Sequence, residues 1–215
     1  MWYDSRTPPL SVAEVTGPQA PLAAAGPAMT AVDDLWFLAD EADQQAERTY
    51  HRLRDRYDDY REFETTKHVS RRRFRTVATR IRDNGAPYGA HTLAYRPPGD
   101  LLLVRHEAVN MWVLPGGETQ GGETFREAAG RELREEAGVT AAYDGLGLLG
   151  RVDFRADGHA VWGVLPIFEG EVDPDTPAPT VHDPDGEITA ARWFDELPED
   201  TRDREELLVW RNRRF

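Results

Sequence analysis

The chain contains no cysteine. Disulfides, zinc–thiolate sites and a thiol nucleophile are therefore excluded. Lysine is nearly missing as well: Lys67 is the only one among 26 basic residues, and the others are arginine. No apolar run approaches the roughly 20 residues that a membrane-spanning helix requires. The first residues lack a basic flank followed by an apolar stretch, so they do not read as a secretory signal. The expectation is a soluble cytoplasmic protein without membrane contact. Base is also scarce relative to acid, with 39 Asp and Glu against 26 Lys and Arg and a net charge of -13. Tight nonspecific nucleic-acid binding by the whole surface is disfavoured, because neutralising phosphates needs excess cation. An acidic surface built almost without lysine fits adaptation to a salty cytosol, where repulsion is screened over a few ångströms. The alternative is GC-rich codon usage, which favours Arg, Ala and Asp.

A length of 215 residues fits one domain with an extension, or two small ones. Residues 1–28 hold Pro8, Pro9, Pro18, Pro21 and Pro27 among Ala, Gly and Ser, which reads as a disordered tail. Met29 then opens a different texture and is a candidate natural start. Residues 29–86 read as a helical extension. From Asp33 to about Arg61, Leu35, Leu38, Ala42, Ala46, Tyr50, Leu53 and Tyr57 recur at steps of three and four. Such a stripe must dock, either on the rest of the chain or on a second copy in a homodimer. A second helix is expected from the N-cap Ser70 through Phe74, Val77, Ala78 and Ile81, stopped by Asn84-Gly85. It carries the one dense basic cluster, Arg71-Arg72-Arg73-Phe74-Arg75 with Arg80 and Arg82. That cluster is either a phosphate or nucleic-acid contact or a solvated face.

Residues 87–215 read as a second unit. Ala90–Tyr95 and Leu101–Val104 are apolar runs around the turn Pro97-Pro98-Gly99-Asp100, a hairpin signal. Trp112-Val113-Leu114 leads into Pro115-Gly116-Gly117. A helix is expected from near Glu123 to Ala137, with Gly138 as its stop and Ala129, Leu133 and Ala137 as its buried stripe. Gly130 inside it costs about 1 kcal/mol against alanine, which hints at a close neighbour. Leu146–Phe154 and Ala160–Phe168 read as paired strands, 173–186 as a loop, Ala190–Phe194 as a short strand and Asp203 to about Asn212 as a last helix. Strands interleaved with helices suggest a mixed sheet between helical layers, an α/β fold.

The most informative run is Arg131-Glu132-Leu133-Arg134-Glu135-Glu136. Glu132, Glu135 and Glu136 fall at i, i+3 and i+4 and crowd one helical face, where like charges repel. A hard divalent cation, which takes oxygen ligands, would resolve the conflict. With Gly117, Glu123, Gly138 and Val139 at their spacings, the run from Gly117 to Val139 resembles the complete Nudix box. The resemblance covers about residues 88–212. It implies the Nudix fold, a mixed β-sheet sandwiched between α-helices, and hydrolysis of a nucleoside diphosphate linked to another moiety. By the same resemblance Glu132, Glu135 and Glu136 would ligate Mg²⁺ or Mn²⁺, the carbonyl of Gly116 adding a ligand. Arg131 would orient the carboxylates, and Glu123 would brace the loop against the helix. The general base varies in the family; Glu132 is the first candidate here and Glu187 the second.

Substrate choice rests on residues outside the box. The proline about sixteen residues past the box, usual in ADP-ribose hydrolases, is replaced by Arg155. The segment Trp112 to Gly117 is similar to nucleotide-sanitising members, which favours a nucleoside triphosphate, modified bases included, and then a nucleotide sugar. Trp112, Trp162, Phe154 and Tyr95 are candidates for stacking on a base, although aromatic residues in strands are more often core. The alternative from another class is a Nudix-like nucleotide sensor that uses the basic helix on nucleic acid.

Overall fold

A computed structural model describes residues 31–215. The Pro-rich tail and Met29 lie outside the described residues. The first element is α1, Ala31–Arg56. Its expected stripe is buried, with Leu35, Ala42 and Ala46 fully out of solvent and Leu38 and Leu53 nearly so. The chain turns at Asp58 and Asp59, the latter with φ 54°. It then forms β1, Arg61–His68. The sequence reading runs the helix to about Arg61 and assigns nothing to this strand. The reason is physical: REFETTKH buries only Phe63 and pairs on one side alone. An edge strand carrying charge shows little hydrophobic alternation, and the charge protects it from pairing with other chains.

Helix α2, Arg71–Asn84, starts and stops where the sequence places it. The Ser70 hydroxyl accepts from the Arg73 N–H, and Gly85 ends the helix at φ 92°. The hairpin follows as β2, Ala90–Arg96, and β3, Asp100–His106. Two short strands come next, β4, Met111–Val113, and β5, Gly116–Gly117. Helix α3, Phe125–Ala137, precedes the long pair β6, Ala142–Ala156, and β7, His159–Glu171. The chain closes with β8, Ile188–Phe194, and α4, Arg204–Arg214.

The strands form one mixed sheet in the order β1-β6-β7-β2-β3-β4, with β5 on β2 and β8 on β3. β1 runs parallel to β6 and β2 parallel to β7, and the remaining pairs are antiparallel. In β3 successive residues serve two cores. Leu101 and Leu103 join the large cluster that holds Leu207 and Trp210 of α4. Leu102 and Val104 join Leu133 and Ala137 of α3. A strand buried on both faces reads as a continuous apolar run, as Leu101–Val104 does.

Helix α1 packs on α2 and β7. The Asp43 carboxylate accepts from the Trp162 N–H at 3.0 Å, and the Thr49 hydroxyl donates to the Asn84 carbonyl at 3.1 Å. Tyr57 meets Phe168 edge-on at 5.6 Å. The apolar stripe of the extension is thus covered within the chain, while Trp36 and Phe37 at its start stay exposed.

Candidate active site

Helix α3 carries the acids, and its amino end is fixed by a capping box. The Thr124 hydroxyl accepts from the Glu127 N–H, and the Glu127 carboxylate accepts from the Thr124 N–H. Gly138 closes the other end in the left-handed region at φ 67°. Ala129, Leu133 and Ala137 are buried as the sequence requires; Glu136 is buried beside them, and the arc of Arg131, Glu132 and Glu135 is half-buried.

Arg131 organises that arc. Its Nε and Nη2 take both oxygens of Glu123 at 2.9 and 3.1 Å, and Nη2 also donates to the Glu118 carbonyl at 2.9 Å. Its Nη1 donates to Glu132 at 2.8 Å and to Glu135 at 2.9 Å. The loop that precedes the helix is therefore stapled to it, and one guanidinium orients two carboxylates. The ion pair with Arg131 holds the Glu123 carboxyl below its usual range. Burial pushes Glu132 upward, and Arg131 opposes this.

Glu136 sits deepest, 9% exposed. Its Oε2 accepts from the Gly116 N–H at 2.8 Å. Burial pushes its carboxyl up to about 9, against the pull of the Gly116 N–H, and Glu132, Asp183 and Glu187 add repulsion. The two glycines before the helix are set by close approach. A Cβ on Gly116 would lie 2.5 Å from the Ala90 carbonyl oxygen, and one on Gly117 would lie 2.5 Å from Glu132 Oε1. Gly117 therefore leaves the room that the Glu132 carboxylate fills.

A late loop completes the acid group. The His182 N–H donates to the Glu135 carbonyl at 3.0 Å and the Thr180 N–H to the Ala137 carbonyl at 2.8 Å. These bonds satisfy carbonyls in the last turn of α3 and bring the following acids beside Glu136. Asp183 accepts from the N–H groups of Asp185, Glu187 and Ile188, which folds the loop into a tight turn. Glu187 is exposed and lies 3.4 Å from His106 Nε2. The sequence reading singles out Glu187 but misses Asp183, Asp185 and His106. The density of acids in Asp183-Pro184-Asp185-Gly186-Glu187 is the signal that marks the first two.

Among the described residues, no three acid or histidine side chains are arranged as they stand to hold a metal ion. Arg131 stands between Glu132 and Glu135, and Glu136 is turned to Gly116. The donor set nevertheless fits a hard divalent ion. It is all oxygen, and it contains a buried carboxyl held uncharged by burial and by neighbouring acids. A bound cation would relieve both.

The stacking candidates separate. Tyr95 and Phe154 are core, and Trp162 is 8% exposed beneath Arg151. Trp112 is half-buried, edge-on to Phe194 at 4.8 Å. On α2, Arg80 pairs with Glu118 and Arg82 with Asp83, and Arg73 reaches the Tyr88 ring. The basic cluster is thus partly spent on neighbours.

The family model described as "NUDIX domain" matches residues 86–210, more than half of the chain. A Bacillus subtilis (strain 168) protein named "Putative 8-oxo-dGTP diphosphatase" is 37% identical over 78 residues, 36% of this chain and 52% of that protein. The chain thus spans about half the length of that curated relative. Among solved structures, a MutT protein from Methanosarcina mazei Go1 is similar at 22% identity and TM-score 0.40, covering 58% of this chain and 92% of the other. A MutT NUDIX hydrolase from Burkholderia pseudomallei is similar at 25% identity and TM-score 0.41, covering 55% and 96%. With its box intact from Gly117 to Val139 and the domain match around it, the chain belongs to the Nudix family.

Proposed function

We propose that the protein is a metal-dependent pyrophosphohydrolase acting on a nucleoside diphosphate linked to a further group. The carrying observation is the buried Glu136, bonded to the Gly116 N–H and pressed by Glu132, Asp183 and Glu187. Glu132, Glu135, Glu136 and the carbonyl of Gly116 would hold Mg²⁺ or Mn²⁺. Such an ion neutralises diphosphate oxygens and acidifies bound water. Arg131 fixes the direction of Glu132 and Glu135, so their oxygens are positioned before substrate arrives. Glu132 is the proposed proton acceptor, because burial raises its affinity for a proton. Glu187, on the facing loop, is the second candidate. The proposed substrate is a nucleoside triphosphate, modified bases included, and a nucleotide sugar comes next. Its support is the stretch Trp112–Gly117 and the name of the Bacillus subtilis relative. The test is release of phosphate or pyrophosphate from a panel of nucleoside triphosphates and nucleotide sugars, with Mg²⁺ and with excess chelator. Mg²⁺-dependent turnover of one class is expected. No turnover of any member with either ion overturns the reading.

A further inference from the structure

The side of α3 away from the acids carries a different charge. Arg126, Gly130 and Arg134 follow at i, i+4 and i+8, so they line one stripe about 12 Å long. The stripe borders an open groove of about 840 Å³, walled by Tyr143 of β6 and by Arg56 at the end of α1. A second hollow of about 390 Å³ adjoins it, sharing Arg56, Glu123, Thr124 and Arg126 and adding Arg52, Tyr57 and Phe168. The acids of this region are already engaged: Glu123 with Arg131, Glu127 with Thr124, and Asp83 with Arg82. Among the described residues none of Arg56, Arg126 and Arg134 forms an ion pair. Arg126 lies over the Tyr143 ring at 5.8 Å and Arg56 near Tyr57 at 5.5 Å. Glu127 and Glu123 line the groove and act on Arg126 and Arg134 through space, but neither arginine bonds to them, since both carboxylates are held by other groups. Gly130 adds to this. A Cβ there would meet Tyr143 at 3.6 Å and Arg134 Nη1 at 3.7 Å, which is ordinary contact. Packing does not demand glycine, yet its absence of side chain keeps the groove floor open between the two arginines.

We propose that this groove is a second anion site, which takes the phosphates of a small phosphorylated molecule between Arg56, Arg126 and Arg134. Guanidinium groups match phosphate oxygens in pairs. The volume suits a nucleotide or a short polyphosphate. Arg56 comes from the helix that precedes the family domain, so the site needs the extension as well as the box helix. It borders the acid cluster at Glu123 and Arg131, which also line the groove, but it does not use Glu132, Glu135 or Glu136 and does not rest on the proposed hydrolysis.

The test is calorimetric titration of the full chain in excess chelator, which removes binding through a divalent ion. The probes are tripolyphosphate, a nucleoside triphosphate, the unphosphorylated nucleoside and a single-stranded oligonucleotide. Tripolyphosphate and the nucleotide are expected to bind, and the nucleoside is not. Equal affinity for the first two identifies free polyphosphate chemistry, and tighter nucleotide binding places the base against Tyr57 or Tyr143. Combined Arg126→Gln and Arg134→Gln should weaken both at least tenfold, and Arg56→Gln alone severalfold, with an unchanged melting temperature. Arg126→Lys with Arg134→Lys should restore part of the loss. No binding of either at millimolar concentration, or binding indifferent to the arginine substitutions, overturns the proposal. So does binding of the oligonucleotide alone.

Discussion

The two sides of α3 make a controlled comparison, because sequence neighbours on one helix face opposite electrostatic problems. On one side Glu132, Glu135 and Glu136 crowd together, and protein groups answer them: Arg131 for the first two and the Gly116 N–H for the third. On the other, Arg126 and Arg134 stand with Arg56, and none of the three forms an ion pair among the described residues. The acid side is built from inside the fold, with Glu136 buried and glycines cleared around it. The arginine side is built at the surface, over an open groove. A buried like-charge cluster must be relieved locally, since low dielectric magnifies repulsion. An exposed one is relieved by solvent and tolerates a missing partner.

The largest break in this comparison is Glu136→Gln. It removes the ionisable carboxyl and keeps an oxygen for the Gly116 N–H. Turnover should fall on the order of a hundredfold or more, as expected for loss of a metal-holding group. The melting temperature without Mg²⁺ should hold or rise, because folding no longer has to keep a buried carboxyl protonated at a pH where the unfolded chain ionises it. Full activity in this variant would remove Glu136 from the proposed chemistry.

Gly117→Ala tests the room left for Glu132. The added Cβ would collide with the carboxylate. It displaces Glu132 by an ångström or so, and such a misplacement costs on the order of a hundredfold in rate at most. The same change at Gly121, where nothing stands within 4 Å, should be nearly silent. Equal effects at the two glycines would show that loop flexibility, not the clash, sets the rate.

A smaller effect comes from pH. The Glu136 carboxyl has an ordinary value of 4.5 and is pushed up to about 9 in the fold. The folded chain then keeps a proton that the unfolded chain loses above 4.5. This contribution to stability is fully present below about 4.5 and is lost as pH rises through about 9. Without Mg²⁺ the melting temperature of the unmodified protein should therefore fall more steeply over that window than that of the Glu136→Gln variant. Saturating Mg²⁺ should bring the two slopes together, since a cation favours the ionised form. Parallel slopes without Mg²⁺ would mean that Glu136 ionises freely in the fold.

Much of this is legible in the sequence alone. The stripe of α1, the Ser70 cap, the hairpin and the extent of the box helix all follow from periodicity and turn residues, since each element buries its own apolar pattern. The spacing of the acids on α3 was equally readable. What escaped was decided by pairing at a distance. β1 is recognisable only from its parallel partner β6. Asp183 reaches the acid cluster only because Thr180 and His182 bond to the end of α3. The arginine groove depends on α1 ending where Arg56 faces Arg126, which no local pattern encodes.

The smallest expected effect separates positioning from stability at the amino end of α3, where the two sides of the helix meet. Thr124 caps the helix through its hydroxyl and forms no ion pair with the acids. Thr124→Ala removes the bond to the Glu127 N–H and leaves the Glu127 carboxylate only the Thr124 backbone N–H. Loss of such a cap costs about 1 kcal/mol. Arg131 remains held by Glu123 at both nitrogens, so the acid side keeps its orientation. The melting temperature should drop by a few degrees while kcat changes less than twofold at a temperature well below unfolding. A large loss of kcat with little loss of stability would reverse the assignment, because it would show that the first turn, and not the Glu123–Arg131 staple, holds the acids in place.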